Sequence, residues 1–226
     1  MTILEYAVSL LTPLQCHLCK EEGAMLCASC VDEVFPEQLS RCYICNKLTK
    51  QQQVCSSCRS RSRLRRIWWL GHYEETIKQL ILKMKYQRGR GYARAFGELL
   101  AVSLPYIQED TLIVPVPTAS KRVRQRGFDQ AVLIAESLAK NRGLQIQHVL
   151  VRTTQVDQIG KRKEQRLKQM SSSLIIAPKR SIKGRTVLLV DDVLTTGATL
   201  ETAARVLREA GAAHVDAAVI ARHLPK

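Results

Sequence analysis

From residue 67 onward the chain alternates between short apolar runs and longer segments whose apolar positions recur every three or four residues. IWWLGHY reads as a strand. In EETIKQLILKMKYQ after it, Ile77, Leu80, Ile81 and Met84 fall at i, i+3, i+4 and i+7, on one face of a helix. Gly89 and Gly91 interrupt the chain before a second helix, GRGYARAFGELLAVSL. TLIVPVP is a short buried strand halted by prolines, and TASKRVRQRGF beyond it is expected to be a basic turn at the strand's carboxyl end. FDQAVLIAESLAKNRG is an amphipathic helix stopped at Gly143, and IQHVLVRT is another strand. GRTVLLVDD is the strongest strand, TTGATLETAARVLREAG the helix after it, and HVDAAVIAR a last strand. Strands alternating with helices predict an α/β fold on a doubly wound parallel sheet. Between residues 153 and 173 the periodicity fades into TTQVDQIGKRKEQRLKQMSSS, expected to be a mobile, partly helical loop.

The first 58 residues follow a different logic. All eight cysteines lie there, as CHLC, CASC, CYIC and CSSC, separated by 7, 11 and 9 residues. A C-x2-C pair places two sulfurs on one tight turn, and two such pairs close a tetrahedral zinc site, so four pairs imply two structural zinc ions. Spacers this short cannot build a core, so the segment must depend on metal for its fold. Sequential sites (Cys16, Cys19, Cys27 and Cys30, then Cys42, Cys45, Cys55 and Cys58) are the simplest pairing, and a crossed pairing stays open. The predicted division is a double zinc-ribbon domain over residues 1–60 and an α/β domain over 61–226. With 4 Lys/Arg against 6 Asp/Glu in residues 1–58, the zinc segment reads as a staple rather than a DNA-gripping finger. No apolar run approaches the roughly 18 residues that span a bilayer. The first fifteen residues carry Glu5, have no basic start and lack a small-residue cleavage site. No membrane insertion and a cytoplasmic location are the expectation.

The formal net charge of +15 is unevenly placed. Residues 59–94 and 121–185 together hold 27 Lys/Arg against 6 Asp/Glu, and the remainder is slightly acidic. Two basic belts on an otherwise acidic chain predict an anionic partner. The run RSRSRLRR, residues 59–66, would be a hinge or a strand edge between the domains, and Trp68 and Trp69 would serve core or inter-domain packing rather than base stacking.

Against that charge, VLLVDDVLTTGATL, residues 187–200, puts two adjacent aspartates where an apolar strand ends. Ligands of open parallel sheets bind outside the carboxyl ends of strands. The TTGAT that follows opens a helix, so its backbone N–H groups, its dipole and the hydroxyls of Thr195, Thr196 and Thr199 suit a phosphate. Two carboxylates beside a phosphate call for a divalent cation or a sugar diol between them. A phosphorylated sugar meets both conditions. The lysine of a G-x-x-x-x-G-K-[ST] loop is absent, and no G-x-G-x-x-G follows a strand. Helix capping would explain Asp192 but leave Asp191 without a role.

The same stretch resembles the phosphoribosyl-pyrophosphate (PRPP) motif of type I phosphoribosyltransferases. The resemblance implies that Asp191 and Asp192 hold the ribose hydroxyls and that Thr195, Thr196, Gly197, Ala198 and Thr199 wrap the 5′-phosphate. Pyrophosphate with Mg²⁺ would then face Lys121, Arg122, Arg124 and Arg126 of the basic turn, and Lys161, Arg162, Lys163 and Arg166 would form a catalytic lid. The four knuckles, KMKYQRGR, VPVPTASKRVRQRGFDQA, TTQVDQIGKRKEQR and the PRPP motif together resemble the ComF (GntX-like) competence family along nearly the whole chain, with Asp129 where that family commonly shows Asn. That resemblance implies work on incoming single-stranded DNA in natural transformation beside a competence helicase. Two functions compete: a PRPP-binding DNA handler, and an active phosphoribosyltransferase of unknown acceptor with no direct DNA role. The segment before Thr111, where an acceptor-binding hood would lie, shows no base-binding pattern.

Overall fold

The computed structural model describes residues 15–87, 89–152, 174–178 and 180–224 of the chain. Residues 16–58 repeat one turn twice. In each copy a C-x2-C pair leads into a left-handed residue, Lys20 (φ 70°) or Asn46 (φ 61°). Its N–H returns to the carbonyl of the first cysteine, at 2.9 Å for Cys16 and 2.8 Å for Cys42. The second knuckle of the first copy leads into α1 (Ala28–Val34), and that of the second copy into a 3-10 turn (Ser56–Arg61).

Beyond these turns the chain runs through β1 (Ile67–His72), α2 (Glu75–Tyr86), α3 (Arg90–Ser103), β2 (Leu112–Pro115), α4 (Ser120–Arg126) and α5 (Gln130–Arg142). It continues with β3 (Gln145–Ile146), β4 (Leu150–Arg152), β5 (Leu174–Ile176), β6 (Thr186–Leu194), α6 (Ala198–Glu209) and β7 (His214–Arg222). Five strands pair in parallel in the order β1-β7-β6-β2-β3, while β4 and β5 make a separate antiparallel pair.

Period-two alternation along β6 explains the layering. Leu188 and Val190 pack with Ile77, Phe96, Leu100 and Ile134 of α2, α3 and α5 on one face, whereas Val187 and Leu189 pack with Leu200, Ala203 and Leu207 of α6 on the other. All four predicted face residues of α2 are buried. At Gly97 the helices α3 and α5 touch backbone to backbone, and a Cβ there would stand 2.5 Å from the carbonyl oxygen of Ile134.

Three expectations change in detail. The basic turn after β2 is the helix α4, because residues 120–126 contain no breaker until Gly127, which closes it with φ 76°. The single strand over IQHVLVRT is two. β3 pairs with only Leu112 and Ile113 of β2, and the chain then leaves the sheet to pair as β4 with β5. The strand expected to stop at the acid pair runs on to Leu194, held by β7 through Val193 and Leu194. The loop expected over residues 153–173 lies outside the described residues.

RSRSRLRR is a docking edge rather than a free hinge. Ser62 and Leu64 are buried while Arg61 and Arg63 alternate with them on the exposed side, the Val54 N–H donates to Arg65 O at 3.0 Å, and Arg65 forms a two-bond ion pair with Asp216. Trp69 is buried under the guanidinium of Arg222, 4.7 Å from its ring centroid, and Trp68 is half-buried against the core. Both tryptophans therefore pack. The two cysteine copies dock in different places: Leu18, Met25 and Val31 lean on the α2 and α3 face, and Tyr43 on the α6 face.

Candidate functional site

Consecutive strand residues point to opposite faces, so the two aspartates of β6 straddle the carboxyl edge of the sheet. Asp192 continues the row of Leu188 and Val190 toward α2 and α5. There its Oδ2 lies 2.8 Å from Lys85 Nζ and accepts a hydrogen bond from Gln130 Nε2 at 3.1 Å. Gln130 Oε1 accepts from Arg126 Nη1 at 2.8 Å, so a chain of bonds links α4 to the acid. Asp191 points to the α6 side, where its Oδ1 accepts from the Asp192 N–H at 2.8 Å. Burial and the neighbouring Asp192 carboxylate push Asp191 up to about 8. An acid held that high gains most from a partner that donates hydrogen bonds or brings positive charge.

Residues 195–199 carry the chain from β6 into α6. Gly197 sits in the left-handed region at φ 79°, and Ala198 begins the helix, its N–H donating to Thr196 Oγ1 at 3.4 Å. Thr195, Gly197, Ala198 and Thr199 share a small crevice with Asp191. Amides of a first helical turn have no carbonyl one turn earlier to serve, so they are available to an anion. The larger cleft, about 460 Å³, sets Asp191, Asp192, Thr195 and Thr199 across from Thr118, Arg122, Arg126 and Arg152, with Lys85 and Gln130 between them along the lining. The lining thus combines carboxylate acceptors and threonine hydroxyls with guanidinium groups, and the adjoining crevice brings the first amides of α6 beside Asp191.

Not every candidate from the basic segment reaches this cleft. Arg122 and Arg126 line it, whereas Lys121 and Arg124 are exposed on α4 and are not among its lining residues. Lys161, Arg162, Lys163 and Arg166 lie outside the described residues. Thr118 and Arg152 also line the cleft and carried no sequence assignment, and three further residues that act through hydrogen bonds or ion pairs went unassigned as well. Lys85 and Gln130 reach Asp192 only through tertiary packing, and no sequence spacing signals that. Asp129 did leave a signal, an acid directly before an apolar helical run. It caps α5 by accepting from the Ala131 N–H at 3.1 Å, and it holds the loop after β2 by accepting from Thr118 N at 3.0 Å and from Thr118 Oγ1 at 2.9 Å.

The cysteines form two groups in sequential pairing. The sulfurs of Cys16, Cys19, Cys27 and Cys30 all lie within 4.8 Å of one another, as do those of Cys42, Cys45, Cys55 and Cys58, which rules out the crossed arrangement. Tetrahedral zinc with bonds of about 2.3 Å separates its sulfurs by about 3.8 Å. Cys19 to Cys27 and Cys45 to Cys55 stand at 3.5 Å, close to that spacing. Burial raises the Cys16 thiol, but the N–H groups of Cys27, Cys19 and Leu18 outweigh it and bring it down to about 6. In the second group burial likewise opposes, and amides of Cys45, Cys55 and Ile44 bring Cys42 down to about 7. In the same groups burial and the neighbouring sulfurs raise the Cys30 and Cys55 thiols. A dication would relieve that crowding by replacing protons, and both groups could hold zinc.

Comparison with known proteins agrees with this layout. A family model described as phosphoribosyl transferase domain matches residues 126–225. Competence protein ComFC of Bacillus subtilis is 30% identical over 197 residues, covering 83% of this chain and 80% of that protein. Competence protein F of Haemophilus influenzae is 28% identical over 210 residues, covering 87% and 90%. DNA utilization protein YhgH of Escherichia coli is 26% identical over 205 residues, covering 81% and 90%. With two four-cysteine groups ahead of a parallel α/β phosphoribosyltransferase-type sheet, the chain belongs to the ComF family of competence proteins.

Proposed function

We propose that the cleft binds PRPP together with Mg²⁺ and that the chain acts on incoming single-stranded DNA during natural transformation. The observation that carries the first half is that the acid pair, Thr195 and Thr199 line one cleft of about 460 Å³ together with Arg122 and Arg126. In this arrangement Asp191 and Asp192 accept from the ribose 2′- and 3′-hydroxyls, and the amides and hydroxyls of residues 195–199 donate to the 5′-phosphate. Arg122 and Arg126 face the pyrophosphate and neutralise it. The carboxylate oxygens are donors of the hard type that Mg²⁺ takes, and the ion, when bound, would neutralise charge on the pyrophosphate. Lys85 balances Asp192 until the ligand arrives. Should an acceptor attack C1 of the sugar, the protein's contribution would be orientation and charge neutralisation at the departing pyrophosphate, with no covalent intermediate required.

The DNA half draws on the printed names of the relatives, competence and DNA utilization proteins, and on the two basic belts. A competence helicase is the proposed partner. Calorimetry with PRPP and Mg²⁺ tests the pocket: saturable binding is expected for the wild type and none for the double variant Asp191→Ala, Asp192→Ala, whereas equal heats would overturn the assignment. Pyrophosphate release measured against a panel of nucleobases and amines then separates a transferase from a PRPP-responsive DNA handler.

A further inference from the structure

Tyr43, the residue after zinc-ligand candidate Cys42, stands behind the phosphate loop although 154 residues separate it in sequence from Gly197. Its ring lies so close to Gly197 that a Cβ there would be 3.0 Å from Tyr43 Cε2. Its hydroxyl donates to Glu201 Oε1 at 2.5 Å, one turn into the helix that the loop opens. Ser62 Oγ donates to the same oxygen, and the Arg63 N–H donates to Glu201 Oε2 at 2.9 Å. From the other side Arg222 Nη2 donates to Tyr43 O at 2.9 Å and Nη1 to Asn46 Oδ1 at 3.1 Å, fixing the knuckle to the end of β7. Among the described residues the first cysteine group packs elsewhere: its His17 ring lies edge-on against Tyr92 of α3.

A glycine in the left-handed region is the most freely rotating point in a loop. Here Gly197 lines the small crevice it shares with Asp191, Thr195 and Thr199, residues that also line the candidate cleft, and its Cβ side is closed by an aromatic ring carried on the second four-cysteine turn. We infer that Tyr43 is a positioning residue for the phosphate loop, through which the second zinc site and the PRPP cleft are energetically coupled while the first zinc site is not. The inference rests on the PRPP assignment for its ligand, but the loop-ordering part stands without it. Coupling between two ligand sites is reciprocal: whatever the filled zinc site adds to PRPP affinity, PRPP adds to zinc retention.

The test uses the full zinc-loaded chain, with Tyr43→Ala and Tyr43→Phe prepared alongside the wild type. Amide hydrogen exchange of residues 195–200, read without any ligand, should be faster in Tyr43→Ala and intermediate in Tyr43→Phe, which keeps the ring and loses the hydroxyl. PRPP with Mg²⁺ should bind Tyr43→Ala on the order of tenfold more weakly, in the usual range for coupled sites. Zinc release to a chromogenic chelator should be slowed by PRPP from the second group, in a Cys19→Ala variant that lacks the first, and unchanged from the first, in a Cys45→Ala variant. Unaltered exchange in a Tyr43→Ala protein that retains two zinc ions would overturn the inference. If that variant does not fold, unaltered exchange in Tyr43→Phe decides against it. A wild type that ignores PRPP while the exchange difference persists would count against the PRPP assignment alone.

Discussion

Lys85 Nζ lies 2.8 Å from Asp192 Oδ2, an ion pair between the last turn of α2 and the carboxyl edge of β6 with both side chains less than one-fifth exposed. Without Lys85, Asp192 would keep, among the described residues, the Gln130 amide as its side-chain partner and would sit beside a second carboxylate. Removing one partner of a largely buried pair costs more than the pair itself contributes. Lys85→Met should therefore lower unfolding stability by about 2 to 3 kcal/mol, seen as a smaller midpoint in urea. Adding Asp192→Asn should recover most of the loss. Additive losses in that double-mutant cycle would show that the two groups do not interact.

Asp191 gives a pH signature of opposite sense to an ordinary ion-paired acid. Its folded value, about 8, lies above the 3.8 of an unperturbed carboxyl. The folded state therefore binds the proton more tightly, and the stability this contributes is fully present below pH 3.8 and lost as pH rises to about 8. Asp191→Asn removes the titration. In the ligand-free protein the melting temperature of Asp191→Asn should rise relative to wild type as pH increases from 5 to about 8.5, levelling off above that. Parallel curves would mean that Asp191 is not lifted, and a gap that closes with rising pH would reverse its sign.

Arg222 is 1% exposed, lies over Trp69 and serves two acceptors with separate nitrogens of one planar fork. A lysine carries the same charge but can neither stack in this way nor reach both Tyr43 O and Asn46 Oδ1 in a fixed geometry. Arg222→Lys should destabilise the protein by about 2 kcal/mol and Arg222→Met by about 3 kcal/mol, measured by urea unfolding with zinc present. A lysine variant as stable as wild type would show that only the charge matters there.

The apolar alternation of residues 67–222 was enough to predict the main strands and helices because each element buries a continuous face, as the four apolar residues of α2 do. The acid pair and the threonine loop were legible for a different reason: strand, turn and helix are adjacent in sequence, so the site is local. What escaped was everything made by distant contact. Lys85 looks like any solvated helix lysine until α2 packs beside β6, and Tyr43 looks like filler inside CYIC until the second four-cysteine turn reaches Gly197. The α4 helix was missed because a seven-residue helix with four basic residues and no buried side chain carries no apolar period to detect. The break between β3 and β4 was missed because β2 offers β3 only a two-residue register, a limit set by pairing rather than by composition.

The basic belts should show themselves in the salt response of DNA binding. Each phosphate neutralised by Lys or Arg releases condensed counterion, and for single strands the slope of log K against log salt is about −0.7 per phosphate. Among the described residues, Arg59, Arg61, Arg63, Arg94, Lys121 and Arg124 are exposed, and none of the six lines the candidate cleft. Engagement of five phosphates would give a slope of about −3.5, a loss in affinity of roughly a hundredfold between 50 and 200 mM salt. Binding of a labelled oligothymidine followed by anisotropy across that range should fall along such a line, with the same slope whether or not PRPP is present, since the cleft arginines are not counted in it. A flat response would remove electrostatics as the source of DNA affinity, and a slope that drops when PRPP is added would place the DNA backbone inside the cleft itself.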